Sequence, residues 1–338
     1  MIIEKRWRRF ITMEHPRASK KVFSNLRHLG QRARELWATL SQRNDVKKAL
    51  NWSRYALFAA IVLYLLYRLG QVGWMDVFQS MPTSPWFYIF FMLRFLALPV
   101  SELAIYEIIW STSLVRHFLV FIRKRVYNFA VMGYSGEAFL TLWARRNLQL
   151  SDKTILVGIK DNNLLSAFSS NAATVILVVI LAITGSLKTT VSAFPGAGLL
   201  FTLAFLSALT LAILVAIFRR KLIAVPPRIL PKLLGVHSGR QVLIILLHAA
   251  MYASALPGAP LMAWITFIAL QLVLSRIPFL PNQDFVYLSA ALALSPIVGA
   301  SEALVAGMLV AEAGLSQLFN AIMFIATSHL ARVSYKPA

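Results

Sequence analysis

The sequence predicts an all-α integral membrane protein: a polytopic helical bundle of about eight spans, with two broken or re-entrant segments and both termini cytoplasmic. Three observations predict it. Hydrophobic residues make up 58% of the 338-residue chain and charged residues 14%, against roughly 45–50% and about 25% in soluble domains. Apolar stretches of about 20 residues, enough to cross the hydrocarbon core of a bilayer, recur along the chain. Lys and Arg fall almost wholly on one side of those stretches, as they do in cytoplasmic loops.

The balance of 34 Lys+Arg against 13 Asp+Glu gives a net charge of +21. Such an excess suits nucleic acid or an anionic membrane surface. The hydrophobicity selects the membrane, so anionic membrane lipids are the expected partners and nucleic acid is not. The chain has no cysteine, which removes disulfides, thiolate ligands and cysteine nucleophiles.

Residues 1–51 read as a basic cytoplasmic arm. Between Met1 and Arg54 there are 14 Lys/Arg against Glu4, Glu14, Glu35 and Asp45. Val22, Leu26, Leu29, Ala33, Leu36 and Leu40 recur at steps of three and four, a helical period, with Pro16 ahead of them. Either an amphipathic helix on the cytoplasmic leaflet or a solvated arm fits. The first long apolar run begins near Trp52, too late for a secretory signal.

A transmembrane domain is expected over 52–331, with a cytoplasmic tail at 332–338. Its apolar runs lie near 52–74, 86–114, 164–185, 197–218, 241–257, 259–276, 284–311 and 314–331. Trp52, Tyr55, Tyr67, Trp74, Trp86 and Tyr88 flank the first two, as interfacial aromatics do. The arm, the 115–125 and 219–240 loops and the tail hold 26 Lys/Arg, whereas the loops on the other side hold one, Lys188. Arg68 is the exception and would snorkel.

Two stretches break the pattern. Residues 126–150 are apolar but short, with Gly133, Gly136 and Glu137. Residues 276–302 carry Arg276, Pro278, Pro281, Asp284 and Pro296. Broken backbone at membrane depth is tolerated where it lines protein or water. Such segments in corresponding places of two halves point to a binding site in repeat-built transporters.

The run Gly133-Tyr134-Ser135-Gly136-Glu137-Ala138-Phe139-Leu140, followed by Leu142 and Arg145, resembles the P-G-R-x-G-E-x-x-R segment of a flippase-like membrane family. That family is related to the transmembrane region of lysylphosphatidylglycerol synthetases. Ile159-Lys160-Asp161-Asn162-Asn163 stands where the family has E-R-x-x-D. Pro278-Phe279-Leu280-Pro281-Asn282-Gln283-Asp284 stands where it has P-x-x-P-G-G-x-G-x-x-E. The first motif's proline is missing, Asn163 replaces an aspartate, and the glycines after Pro281 are gone, as in a divergent member. The resemblance runs over about 50–330. It implies the lipid-handling part without the synthetases' soluble aminoacyl-transfer domain.

Each candidate residue has a functional and a structural reading. Glu137, near Arg145 and Arg146, either meets a lipid headgroup or caps a short helix. Lys160 either meets a phosphate or flanks an Asp161–Asn163 cap that opens the helix at 164. Arg94, Glu102 and Glu107 share the second span with Pro99, and a structural Arg94–Glu102 pair is the plain alternative. Arg276 either neutralises Asp284 or binds an anion beside it. Gly299, Gly307 and Gly314 would let helices approach closely around Glu302 and Glu312, and self-association is left open. His248 and His329 have no metal-spaced partner, and no nucleotide loop or nucleophile motif is present. Neither a metal nor a cofactor is expected. The reading that follows is a multi-pass protein of the cell (inner) membrane. It would move an anionic lipid or lipid-linked glycan through a polar groove, with an embedded lipid-modifying enzyme and a scaffold as alternatives.

Overall fold

The computed structural model describes Leu63 and residues 73–130, 134–193, 196–277 and 283–328. The basic arm, nearly all of the first expected span at 52–74, the tail and both termini lie outside the described residues. So do Gly133, Pro278 and Pro281.

Every regular element among the described residues is helical. In chain order they are α1 (Trp74–Gln79), α2 (Pro85–Trp110), a 3-10 turn (Val115–His117), α3 (Phe118–Ala130), α4 (Ser135–Asn147), α5 (Asp152–Ile183) and α6 (Ser186–Ala193). Then come α7 (Ala197–Leu222), α8 (Leu230–Ala255), α9 (Leu261–Leu274), α10 (Gln283–Ala293), α11 (Ser295–Val298) and α12 (Glu302–Ala326). Five of them, α2, α5, α7, α8 and α12, are long and apolar enough to cross a membrane.

Local chemistry sets the ends of these helices. Pro85 opens α2 at N1, where its missing N–H costs nothing. Ser111, at φ 50°, ends it in the left-handed region, and the Glu107 carboxylate accepts the Leu114 N–H at 2.6 Å. Ser151 caps α5 by accepting the Thr154 N–H at 3.2 Å, and Ser301 caps α12 by accepting that of Leu304 at 3.3 Å. Asp152 and Glu302 sit in those first turns, against the positive end of the helix dipole.

Several expected boundaries move. The helix expected from 164 begins twelve residues earlier, at Asp152. Asp161, Asn162 and Asn163 therefore lie inside a helix and cap nothing. The span expected from 241 begins at Leu230. The runs at 284–311 and 314–331 are divided elsewhere, because Gly299 (φ 71°) breaks the chain before Ser301 caps α12. Pro99 stays inside one continuous α2.

The first stretch read as broken, 126–150, takes in the end of α3 and all of α4, 13 residues each; the second, 276–302, takes in α10 and α11, of 11 and 4 residues. The span expected at 259–276 is the 14-residue α9. At 1.5 Å per residue these helices run about 6–21 Å, short of the roughly 30 Å hydrocarbon core.

α2 and α8 lie antiparallel along their lengths: Arg94 meets His248 near one end, while Ile105 and Leu233 share a core cluster near the other. The bundle consequently has a basic end, where α2, α4, α7 and α12 finish and α5 and α8 begin. Lys160 there bonds the Leu222 carbonyl, and Arg123 bonds that of Phe324. At the opposite end Thr184 meets Met262 and α12 crosses α1. Gly307 permits that crossing, since a Cβ there would lie 2.5 Å from the Ser80 carbonyl oxygen.

The main core gathers around Tyr252, Trp264 and Phe267, on α8 and α9. α7 is the outermost of the long helices. Only 17% of its most apolar window is buried, and Leu203, Leu206, Leu211 and Ile217 are exposed. An apolar helix left this bare suits hydrocarbon as its surroundings.

Candidate functional site

Ionisable groups inside the bundle gather on three levels. Nearest the basic end, Lys124 of α3 is 1% exposed and bonds Glu102 of α2. Its ammonium also lies 3.1 Å from Oε1 of Glu137 on α4. Two carboxylates, Glu102 and Glu137, and the Tyr106 ring face this one ammonium. Asn162 donates to the Tyr106 hydroxyl at 3.1 Å, joining α5 to this level.

Glu137 reaches Lys124 because α4 starts against α3. The Gly136 N–H donates to Asn128 Oδ1 at 2.7 Å, and the Ser135 hydroxyl donates to the Tyr127 carbonyl at 2.7 Å. A Cβ on Gly136 would stand 2.1 Å from the Lys124 carbonyl oxygen. Only glycine fits there.

The middle level lies along α5. Arg240 of α8 donates to Ser166 Oγ at 2.9 Å. Arg276, just past α9, donates to Ser170 Oγ and, through Nε, to Thr174 Oγ1 at 3.2 Å.

The third level joins α2, α8, α10 and α12. Arg94 pairs with Glu312 and lies 3.1 Å from the His248 ring nitrogens. Nε2 of His248 lies 3.3 Å from Glu312 Oε1. The Tyr252 hydroxyl donates to Glu312 Oε2 at 2.7 Å and lies 2.9 Å from that of Tyr287.

The candidates read from the sequence are therefore dispersed. Glu137, Lys160 and Arg276 do not line one groove. Glu137 belongs to the first level and Arg276 to the middle one. Lys160 is exposed at the basic end, holding the Leu222 carbonyl and lying 2.8 Å from Asp161 Oδ1. Asp161, fully buried, accepts the Ala224 and Val225 N–H groups at 2.8 Å each. This pair pins the α7–α8 connection. Arg145 is exposed on the end of α4, 3.0 Å from Asp152. Arg94 pairs with Glu312, not with Glu102. The side chain of Asp284 lies outside the described residues.

Sequence reasoning missed Lys124, Arg240, His248, Tyr252 and Tyr287. Lys124 and Arg240 counted as loop charges, yet both are buried. In α8, Leu233, His237 and Arg240 are the buried residues of the first turns. Their steps of four and three are a helical signal that the low local hydropathy hides. Among the described residues no group of His, Asp and Glu is placed to hold a metal ion. Comparison of the chain with protein-family models, curated proteins and solved structures gives no match.

Proposed function

We propose that this chain is a flippase-like membrane transporter that lets an anionic lipid or lipid-linked headgroup pass between leaflets through its polar interior. One observation carries the reading. Charged side chains recur on three levels between the basic end and the opposite end, on helices whose outer faces are apolar. Ionisable groups at membrane depth are expensive and mark substrate paths.

The polar interior lowers the cost of carrying a headgroup through hydrocarbon while the acyl tails stay in lipid. The basic end faces the cytoplasm, as loop charge directs, in the cell (inner) membrane. The basic arm concentrates anionic lipid there, at about 1 kcal/mol per basic residue near the surface. The resemblance of the Gly133–Arg145 and Pro278–Asp284 runs to flippase-like proteins supports the same reading.

The test is reconstitution into vesicles carrying labelled phosphatidylglycerol in one leaflet. The label should equilibrate between leaflets with the lipid's mass unchanged. A mass shift would identify an embedded lipid-modifying enzyme instead. Neither equilibration nor mass shift would leave the scaffold reading.

A further inference from the structure

Ser166, Ser170 and Thr174 stand four residues apart on α5, one above the other on one face of the helix. Two arginines from separate elements end on this ladder, Arg240 at Ser166 and Arg276 at Ser170 and Thr174. Among the described residues neither guanidinium forms an ion pair.

Hydroxyls satisfy some of the five donors of a guanidinium but none of its charge. A buried cation without a counter-charge is costly. Here two cations end on one face of α5, Arg240 buried and Arg276 half-buried, on hydroxyls about 6 Å apart along the helix axis. An anion between them would supply the missing counter-charge.

Further groups without partners occupy the neighbouring positions. Ser169 Oγ is buried on the same helix with no partner among the described residues. Both ring nitrogens of His237, fully buried one turn before Arg240 on α8, are also unpartnered. Dense donors, two fixed guanidiniums and, among the described residues, no paired carboxylate together suit a tetrahedral oxyanion, which accepts bidentate bonds from arginine.

We propose that Arg240 and Arg276 clamp a phosphate group on the Ser166–Ser170–Thr174 face of α5. The site lies five to thirteen residues beyond Asp161, roughly 8–20 Å from the loop that Asp161 pins. That places it inside the helical bundle, away from its basic end. The inference rests on the transport reading for the source of the ligand, a phospholipid headgroup. A soluble phosphate compound would present the same chemistry.

The test is native mass spectrometry of the full chain in detergent, with three probes: phosphatidylglycerol, a glucosyl-diacylglycerol lacking phosphate, and inorganic phosphate. The wild type should retain phosphatidylglycerol at least about tenfold better than the glycolipid. R240Q and R276Q should each lose about tenfold, and K188Q nothing. Inorganic phosphate that binds and displaces the lipid would point to a soluble ligand; a lipid it does not displace would point to the headgroup. Either supports the clamp.

The S170A/T174A pair keeps both charges and should still weaken retention severalfold, which covers the case where an arginine variant fails to fold. Equal retention of both lipids by the wild type would overturn the clamp. So would wild-type binding in the two arginine variants and in S170A/T174A. Transport separates the two claims. Lipid equilibration without phosphate selectivity would sink the clamp alone, and selective binding without equilibration would sink the transport reading alone.

Discussion

Arg94 and Glu312, on α2 and α12, form an ion pair inside the bundle across 218 positions of sequence. His248 and Tyr252 complete the carboxylate's shell. Removing one partner of a buried pair leaves an uncompensated charge. Glu312→Gln should therefore cost about 3–5 kcal/mol, seen as a lower unfolding temperature of the full chain in detergent. Arg94→Met combined with Glu312→Leu should recover most of that loss. An unaltered unfolding temperature in the single variant would show that the pair is not what holds these helices together.

Gly136 and Gly307 are contact points between helices. A Cβ at Gly136 would press on the Lys124 carbonyl and the Asn128 amide, and one at Gly307 on backbone oxygens of Ser80 and Val77. Gly136→Ala should cost about 1–3 kcal/mol or more, the usual penalty of overpacking. Gly258 faces open space, so Gly258→Ala is the control and should unfold with the wild type.

Asp161 holds the α7–α8 connection by two N–H bonds. Hydrogen bonds to a charged group contribute about 1.5–3 kcal/mol. Asp161→Leu should speed hydrogen exchange at Ala224 and Val225 about tenfold or more, and should hasten tryptic cleavage after Arg228. Exchange at the wild-type rate would place the loop's stability elsewhere.

How far this was legible follows from sequence range. Helix type and the approximate places of the five long apolar helices could be read because a helical period is a local signal, whereas α3 was taken for a loop and α9 for a full span. Glu137 and Arg276 stood out because a charge in an apolar stretch is also local. Their partners were not readable. His248 looked solitary because Arg94 is 154 positions away. The contact of Lys160 with the Leu222 carbonyl was out of reach because 62 positions separate them. Arg240 was counted with the loop because it lowers the hydropathy of the turns that bury it.

Topology is tested by chemistry that the chain lacks. With no cysteine present, Lys188→Cys and Arg228→Cys each give one thiol, at opposite ends of the bundle. A membrane-impermeant maleimide applied outside intact cells should label Lys188→Cys and spare Arg228→Cys until the membrane is opened. The reverse pattern would invert the assigned orientation.

The most direct measurement is leaflet exchange in vesicles. Fluorescent phosphatidylglycerol in the inner leaflet should become accessible to external dithionite when wild-type protein is present, and much more slowly with Arg276→Gln. Bleaching no faster than in protein-free vesicles would contradict the account.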